Sequence, residues 1–378
     1  MKLRFMRDYA LPLVETTARA IKARSTLPIL ANILIEADDA HVSFVATDLE
    51  ITIGTKLSAQ VKAGGRVTVD GKALVAFLKG APKGCVVELD AKDETVTLKA
   101  GNLTRTIRGI DAEEYPAAVT DTGKATGTRV GAQALQRALS ETVFAAAGDD
   151  ARPILVSVLF GFQKGNDNFG LTLAAADNYR ISTQTIPTID KVKPLSILVP
   201  VRAVEELIRI LPKGGDLDAV TIYPEPAKNR VLFSIGDTRL ISRLIDGHYP
   251  NYEQVMPRTW STRFLVDAKA LAVTAKQVAE VSPLNYVRLS PQSNGKLLLS
   301  ANDNDGGSMS AELPITFDDL GEVTYIDLNA SYLADLPKVA TGSVMVGLNG
   351  RLSPATFTPA DQYDSAAIYV VMPVRVTS

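Results

Sequence analysis

An α+β protein built from three repeated domains is the fold class that these 378 residues predict, on three observations. A strand-exit motif is written twice, as Gly109-Ile110-Asp111-Ala112-Glu113-Glu114-Tyr115-Pro116 and as Leu244-Ile245-Asp246-Gly247-His248-Tyr249-Pro250. Aspartates that close a strand recur at Asp48, Asp177 and Asp303, spaced by 129 and 126 residues. Each third of the chain also runs through strand, helix, strands, helix, strands in the same order. The expected domains span 1–120, 126–252 and 260–378, with linkers near 117–126 and 251–261.

In the first repeat, Leu3 to Met6 is a strand and about Asp8 to Ala23 a helix, with Pro12 tolerable only near its first turn. The apolar run Ile29 to Ile35 and the segment His41 to Thr47 are strands, and another strand follows Asp48-Leu49-Glu50. Arg66 to Val69 leads into a short helix over Lys72 to Lys79, and strands follow at Val86 to Leu89, Thr95 to Leu98 and Asn102 to Arg108. The second repeat opens on Thr128 to Val130 and a helix from Ala132 to about Ala147, with Leu135, Leu139 and Val143 on one face. Arg152-Pro153-Ile154-Leu155 echoes Leu27-Pro28-Ile29-Leu30. After Ile197 to Pro200, the residues Val204, Leu207, Ile208 and Leu211 form a helical stripe. The third repeat has Thr262 to Val266, a helix from Asp267 to about Val281, a helix from Asn329 to about Lys338, and a last strand from Ala366 to Val371.

Composition narrows the chemistry. A hydrophobic fraction of 46% with 22% charged residues is that of a soluble globular chain. Cys85 stands alone, so no intrachain disulfide forms and a reducing cytoplasm is expected. The N-terminus lacks a signal-peptide core, and no apolar run approaches the roughly 20 residues of a membrane span. His41 and His248 cannot build a multi-histidine metal site, and one cysteine excludes a zinc-thiolate site. Phosphate-binding, dinucleotide and nucleophile-elbow motifs are missing. Asn302-Asp303-Asn304-Asp305-Gly306-Gly307 lacks the glutamate that a calcium loop needs. Asp48 and Asp177 hold equivalent repeat positions and are expected to shape turns rather than catalyse. The expectation is therefore a non-enzyme without metal or cofactor.

Cations are placed with a pattern, although the net charge is −2. Lys72 and Lys79, Arg202 and Arg209, and Lys269 and Lys276 are each seven residues apart on helices, so each pair shares a face. Arg19, Lys22, Arg24 and Arg137 add to them. A solvated helix face explains any single pair, and Glu205 and Glu206 favour that explanation locally. Repetition across all three units suits helices that present positive charge to a phosphate backbone without reading bases.

Six motifs in order give the chain its resemblance to a known family. They are Ser25-Thr26-Leu27-Pro28-Ile29-Leu30, Ala46-Thr47-Asp48-Leu49-Glu50, Arg152-Pro153-Ile154-Leu155 and Ala176-Asp177-Asn178-Tyr179-Arg180-Ile181. Leu244 to Pro250 and Tyr369-Val370-Val371-Met372-Pro373-Val374-Arg375 complete the set. Over its whole length the sequence resembles the β subunit of bacterial DNA polymerase III, the sliding clamp. That resemblance implies a head-to-tail homodimer whose six domains close a ring around double-stranded DNA, with helices lining the hole and antiparallel sheets outside. It implies non-sequence-specific DNA contact, with Arg24 on a position that touches DNA in the family. It also implies a nucleoid-associated processivity factor.

A pocket for short linear motifs is implied as well, serving the polymerase III α subunit, the clamp loader, other polymerases and repair proteins. Carried over by position, it comprises Leu155, Ala176, Asn178, Tyr179, Arg180, Ile181, Pro250, Val255, Val370, Met372, Pro373, Val374 and Arg375. This chain departs from the family at Asn178-Tyr179 (usually Gly-His), at Gln254 (commonly Arg) and in the tail Val376-Thr377-Ser378. Those departures bear on motif preference and entrance shape. For the dimer interface, the edge strand with Arg105, Ile107 and Arg108 is expected to meet the third unit near Asp303, Asp305 and Glu312. The alternative function is a peptide-binding scaffold that does not encircle DNA.

Overall fold

Strands of alternating exposure dominate the chain, as in Lys2–Met6, where Leu3 and Phe5 are buried between exposed neighbours. The computed structural model describes residues 1–22, 27–116, 126–148, 152–164, 169–212, 217–303, 305–321, 325–360 and 367–375. The first pass contains β1 (Lys2–Met6), α1 (Arg7–Ala18), β2 (Asn32–Ala37), β3 (His41–Thr47) and β4 (Ile51–Ser58). It continues with β5 (Gln60–Ala63), β6 (Gly65–Asp70), α2 (Gly71–Gly80), β7 (Val86–Lys92), β8 (Thr95–Ala100) and β9 (Leu103–Arg108). The second pass contains β10 (Thr128–Gly131), α3 (Ala132–Ser140), β11 (Ser157–Lys164), β12 (Phe169–Ala176) and β13 (Arg180–Pro187). After these come β14 (Leu195–Pro200), α4 (Val201–Ile210), β15 (Ala219–Glu225), β16 (Arg230–Ile235) and β17 (Thr238–Arg243). The third pass has β18 (Thr262–Asp267), α5 (Ala268–Val278), β19 (Tyr286–Gln292), β20 (Lys296–Asn302), β21 (Ser308–Pro314) and β22 (Thr316–Leu320). It ends with β23 (Ile326–Asn329), α6 (Ala330–Leu333), α7 (Leu336–Val339), β24 (Ser343–Leu348), β25 (Ala355–Pro359) and β26 (Ile368–Val371). The element order repeats three times.

Helix starts are set by local chemistry. Asp70 caps α2 by accepting from Ala73 N at 2.7 Å, and Asp267 caps α5 by accepting from Ala270 N at 2.7 Å. Four helices are shorter than the sequence pattern predicts. α1 ends at Ala18, before the expected Ala23, and Pro12 lies inside it rather than in its first turn. The chain there accepts the lost amide, and Thr16 bonds back to the Pro12 carbonyl at 2.8 Å. α3 stops at Ser140 and resumes as a 3-10 turn over Val143–Ala145, where Thr142 Oγ1 bonds back to Ala138 O at 2.7 Å. α5 likewise ends at Val278 and tightens into the 3-10 turn Ala279–Val281. The helix expected from Asn329 to Lys338 is two single turns, α6 and α7, because Pro337 has no amide to continue the first.

The described strands form four antiparallel sheets: β5-β1-β7-β8-β9, β10-β15-β16-β17-β4-β3-β2-β6, β14-β11-β12-β13-β26-β25-β24-β18-β22 and β21-β20-β19-β23. Successive repeats are thus sewn together by strand pairing. β17 pairs with β4, Ser242 lying opposite Ile51, and β26 pairs with β13, Val371 lying opposite Arg180. β9 and β21 are left at sheet edges. Two compact units result, one of residues 1–133 with 205–244, the other of 134–204 with 245–378. In the second unit a core including Phe264, Leu271, Leu289, Phe357 and Tyr369 fills the space between α5, α6, α7 and the sheets. The expected linker 117–126 falls almost wholly outside the described residues.

Candidate functional site

The three recurring aspartates each close a turn by the same means, the third turn being one residue longer. Asp48 Oδ1 accepts from Glu50 N and Ile51 N at 3.1 and 2.9 Å, and Asp177 Oδ1 accepts from Tyr179 N and Arg180 N at 2.7 and 2.9 Å. Asp303 Oδ1 accepts from Asp305 N and Gly307 N at 2.9 and 2.6 Å. A short carboxylate that satisfies two backbone donors is a turn former, as the repeat positions imply. In the second repeat this turn also presents two of the side chains expected in the peptide pocket. Tyr179 stands 58% exposed on it, and its ring stacks on Tyr332 at 6.4 Å between centroids. Arg180 is fixed from several sides: Nε donates to Asp177 at 3.0 Å, Nη2 to the Phe144 carbonyl at 2.8 Å, and Nη1 to Asp335.

Beside the turn lies an apolar floor. Ala176, Ile181 and Val370 form one buried cluster, with Ile181 directly opposite Val370 across the β13–β26 ladder. Tyr249, Tyr252, Met256 and Ile368 pack against it, half-buried. The chain leaving β26 is held along one rim: Met372 N donates to Tyr179 O and Val374 N to Asp327 O, both at 2.8 Å. Met372, Pro373 and Val374 are half-buried, whereas Arg375, Pro250 and Asn178 are exposed, and Val255 is 41% exposed. Asn178 Oδ1 accepts from Arg152 Nη1 at 3.0 Å. Leu155 is buried at the end of a 3-10 turn and lies outside that cluster. An apolar cluster flanked by a few oriented polar groups is the composition on which an apolar side chain of an extended peptide packs.

Four residues packed on this floor were not assigned to the site from the sequence, although Tyr249 lies in the repeated exit motif and Tyr252 just after it. Tyr115 and Tyr249 occupy the same motif position, yet differ in bonding. The Tyr115 hydroxyl accepts from Thr47 N at 3.2 Å and donates to Asn32 O at 3.3 Å, and burial pushes its pKa up to about 12. The Tyr249 hydroxyl is buried with no hydrogen-bond partner among the described residues, and burial raises its pKa too. Nothing in the sequence marked Tyr332, which reaches Tyr179 and Arg180 from the third repeat.

The basic candidates are divided by their partners. Lys22 pairs with Glu50 at 2.9 Å and Asp48 at 3.4 Å, and Lys79 with Glu15 at 2.8 Å. Arg137 pairs with Glu141 at 2.7 Å, Arg209 with Glu206, and Arg19 lies 3.8 Å from Glu206. Lys72, Lys269 and Lys276 are exposed and have no carboxylate partner among the described residues. Arg202 is half-buried on α4, and Arg24 lies outside the described residues. The Lys79–Glu15 and Lys22–Glu50 pairs are exposed on both sides and contribute little, so a phosphate can displace those carboxylates at small cost, whereas Asp48, Glu141 and Glu206 are largely buried and hold their cations more firmly.

Comparison with known proteins decides the family. Residues 1–119 match the model of the DNA polymerase III beta subunit N-terminal domain, and residues 129–251 that of its central domain. The chain belongs to the β sliding clamp family. A β sliding clamp of Synechococcus elongatus is 31% identical over 374 residues, covering 97% of this chain and 96% of that one. The crystal structure of a Pseudomonas aeruginosa sliding clamp bound to griselimycin superposes with a TM-score of 0.90 at 26% identity, covering all of both chains. A Caulobacter crescentus β sliding clamp, with polyethylene glycol at a putative β-motif tethering region, superposes at 0.88 with 27% identity and the same full coverage. The function is accordingly that of a DNA sliding clamp, a non-catalytic processivity factor.

On this clamp the residues expected at the dimer interface sit at or beside two strands at sheet edges. Arg105 and Arg108 are exposed on β9 while Ile107 is buried, and Arg105 Nη1 donates to Ala73 O at 3.1 Å. Asp303 and Asp305 form the turn before β21. Among the described residues no cluster of His, Cys, Asp or Glu could hold a metal ion, and no helix is long and apolar enough to cross a membrane.

Proposed function

We propose that two copies of this chain join head to tail into a ring around duplex DNA and tether proteins that carry a short apolar motif. The observation that carries this is the sewing of the repeats. The last strand of the second pass pairs with β4 of the first, and the last strand of the third pairs with β13 of the second. By the same rule the last strand of the first pass, β9, has its counterpart in β21, and that pairing requires another copy. The register follows from the turns. Ser242 and Val371 each face the residue three past an aspartate, and the longer third turn closes with Asp303 N–H on Gly307 O at 2.9 Å. Ile107 then faces Gly307 and Arg105 faces Met309 of the other copy, with Arg105 and Arg108 set near Asp303, Asp305 and Glu312. Each junction is antiparallel and adds a ladder of backbone hydrogen bonds.

In such a ring the three repeats act as domains at 1–120, 126–252 and 260–378, and the DNA-facing candidates are Arg19, Lys22, Arg24, Lys72, Lys79, Arg137, Arg202, Arg209, Lys269 and Lys276. Topology then replaces affinity: weak phosphate contacts allow sliding while closure prevents escape. The groove over Ala176, Ile181 and Val370 takes an apolar anchor, whose burial contributes about 1.5–3 kcal/mol per Leu or Phe. Partners of this kind are the polymerase α subunit, the clamp loader and repair proteins, met in the cytoplasm on the nucleoid.

The test is retention on nicked circular DNA after loading and removal of free protein. Retention on the circle and rapid loss after linearisation is the expected result. Retention on both forms overturns the ring; loss from both, with peptide binding intact, favours a scaffold that does not encircle DNA.

A further inference from the structure

The segment after the second exit motif packs onto the outward face of the nine-stranded sheet. Register places Ile181, Val370, Thr356, Gly347 and Arg263 in one row across β13, β26, β25, β24 and β18. Tyr249, Tyr252 and Met256 cover the Val370 end of that row, and Trp260 covers the Gly347 end, so closely that a Cβ on Gly347 would strike the indole. Between Trp260 and Ile368 a cavity of about 180 Å³ remains open, with Met345, Gly347, Thr356 and Thr358 in its lining.

The chemistry of this cavity is one-sided. Among the described residues Arg263 is the only charged one that lines it, its guanidinium stacked 5.3 Å from the Trp260 ring centroid. The Trp260 Nε1–H is buried and has no acceptor among the described residues. The Thr358 hydroxyl adds a donor, Thr356 Oγ1 donates to Gly347 O at 3.4 Å, and no carboxylate lines the space among the described residues. Arg263 also lies 3.4 Å from Asp318, but a guanidinium has five donors and serves two acceptors. A volume of this size with convergent donors fits one carboxylate-bearing side chain.

We propose that this cavity is a second subsite of the peptide groove and takes a carboxylate that the bound peptide carries near its apolar anchor. The inference rests on the peptide-groove function given above. Continuity supports it: Ile368 packs against the Ala176–Ile181–Val370 floor and also lines the cavity. Val370 and Ile368 are two residues apart on one strand, about 7 Å, which two residues of extended peptide span.

Trp260 is the only tryptophan in the chain, so its emission reports on the cavity directly. The probes are an acetylated, amidated peptide ending in Leu-Phe, and the same peptide extended by Gly-Gly-Glu or Gly-Gly-Gln before or after the anchor. At one of the two ends, the Glu form is expected to bind about tenfold tighter than the Gln form and to shift Trp260 emission. Arg263→Gln removes both effects and leaves the affinity of the unextended peptide unchanged; Trp260→Phe, which keeps a ring but loses the N–H, reduces the Glu advantage. Equal affinity of the Glu and Gln forms at both ends overturns the subsite. Failure of the groove is a distinct outcome, because the unextended peptide then shows no binding, and the subsite falls with it.

Discussion

Arg180 and Asp335 form an ion pair that ties the second repeat to the third. Their side chains are only 14% and 17% exposed, and the same guanidinium lies 4.9 Å from the Tyr332 ring centroid. Tyr332 is anchored in turn, since Tyr369 Oη donates to its carbonyl at 3.1 Å. The pair therefore fixes the aromatic stack that stands at one end of the proposed peptide groove. Asp335→Ala leaves Arg180 with Asp177 as its carboxylate partner and the Phe144 carbonyl, and is expected to cost about 1–3 kcal/mol, read from urea unfolding. Peptide affinity should fall in parallel; unchanged affinity in a destabilised variant separates the stack from recognition.

Alkaline pH tests the buried exit-motif phenol. Tyr115 has its pKa raised by burial, from 10.0 to about 12. A raised folded-state pKa means that the stabilisation is complete below pH 10 and is lost as pH rises through 12, because the unfolded chain releases the proton first. Over that window the wild type should lose about 2–3 kcal/mol more than Tyr115→Phe. Parallel pH profiles for the two proteins would refute the assignment.

The aspartate turns separate geometry from charge. Asp48→Asn keeps an oxygen for the Glu50 and Ile51 amides, whereas Asp48→Ala leaves both without it. The alanine variant should lose about 1–2 kcal/mol and the asparagine variant distinctly less, by thermal or urea unfolding.

Salt dependence sorts the cations. Replacing Lys72, Lys269 and Lys276 by Ala should flatten the slope of log affinity against log salt by about 0.9 for each lysine that neutralises a phosphate. Lys79→Ala and Arg209→Ala should act less, because those side chains exchange a carboxylate for a phosphate. Anisotropy on linear duplex at several salt concentrations measures both.

Removal of residues 372–378 takes away the rim that Met372 N fastens to Tyr179 O. Binding of a Leu-Phe peptide should then be abolished by calorimetry; full affinity would remove Met372, Pro373, Val374 and Arg375 from the groove.

The repeat is plain in the sequence, because aspartate turns and Tyr-Pro exits are local chemistry that each copy must solve again. Helix ends were less legible. Periodicity continues past Ser140 and Leu333, while Thr142 back-bonding and Pro337 stop the helices there. Ala176, Ile181 and Val370, named from the resemblance, lie within quoted motifs and pack together in one buried cluster. Tyr332 and Trp260 were not named, since each reaches the site only after the third repeat has folded against the sheet. The ion partners of Lys22 and Lys79 lie 28 and 64 residues away, beyond any spacing rule.

The open edges β9 and β21 also define how this protein fails. β9 and β21 are among the strands that end sheets in a single copy, and an edge left unpaired is where chains aggregate edge to edge. Arg105 and Arg108 on one edge, and the Lys296–Glu312 pair at 2.5 Å beside the other, act as gatekeepers against that outcome. In the proposed ring, a substitution that altered the angle at a junction while sparing the pairing would miss closure, and copies would add without limit. The product would be an open filament, seen by electron microscopy, rather than a dispersed monomer.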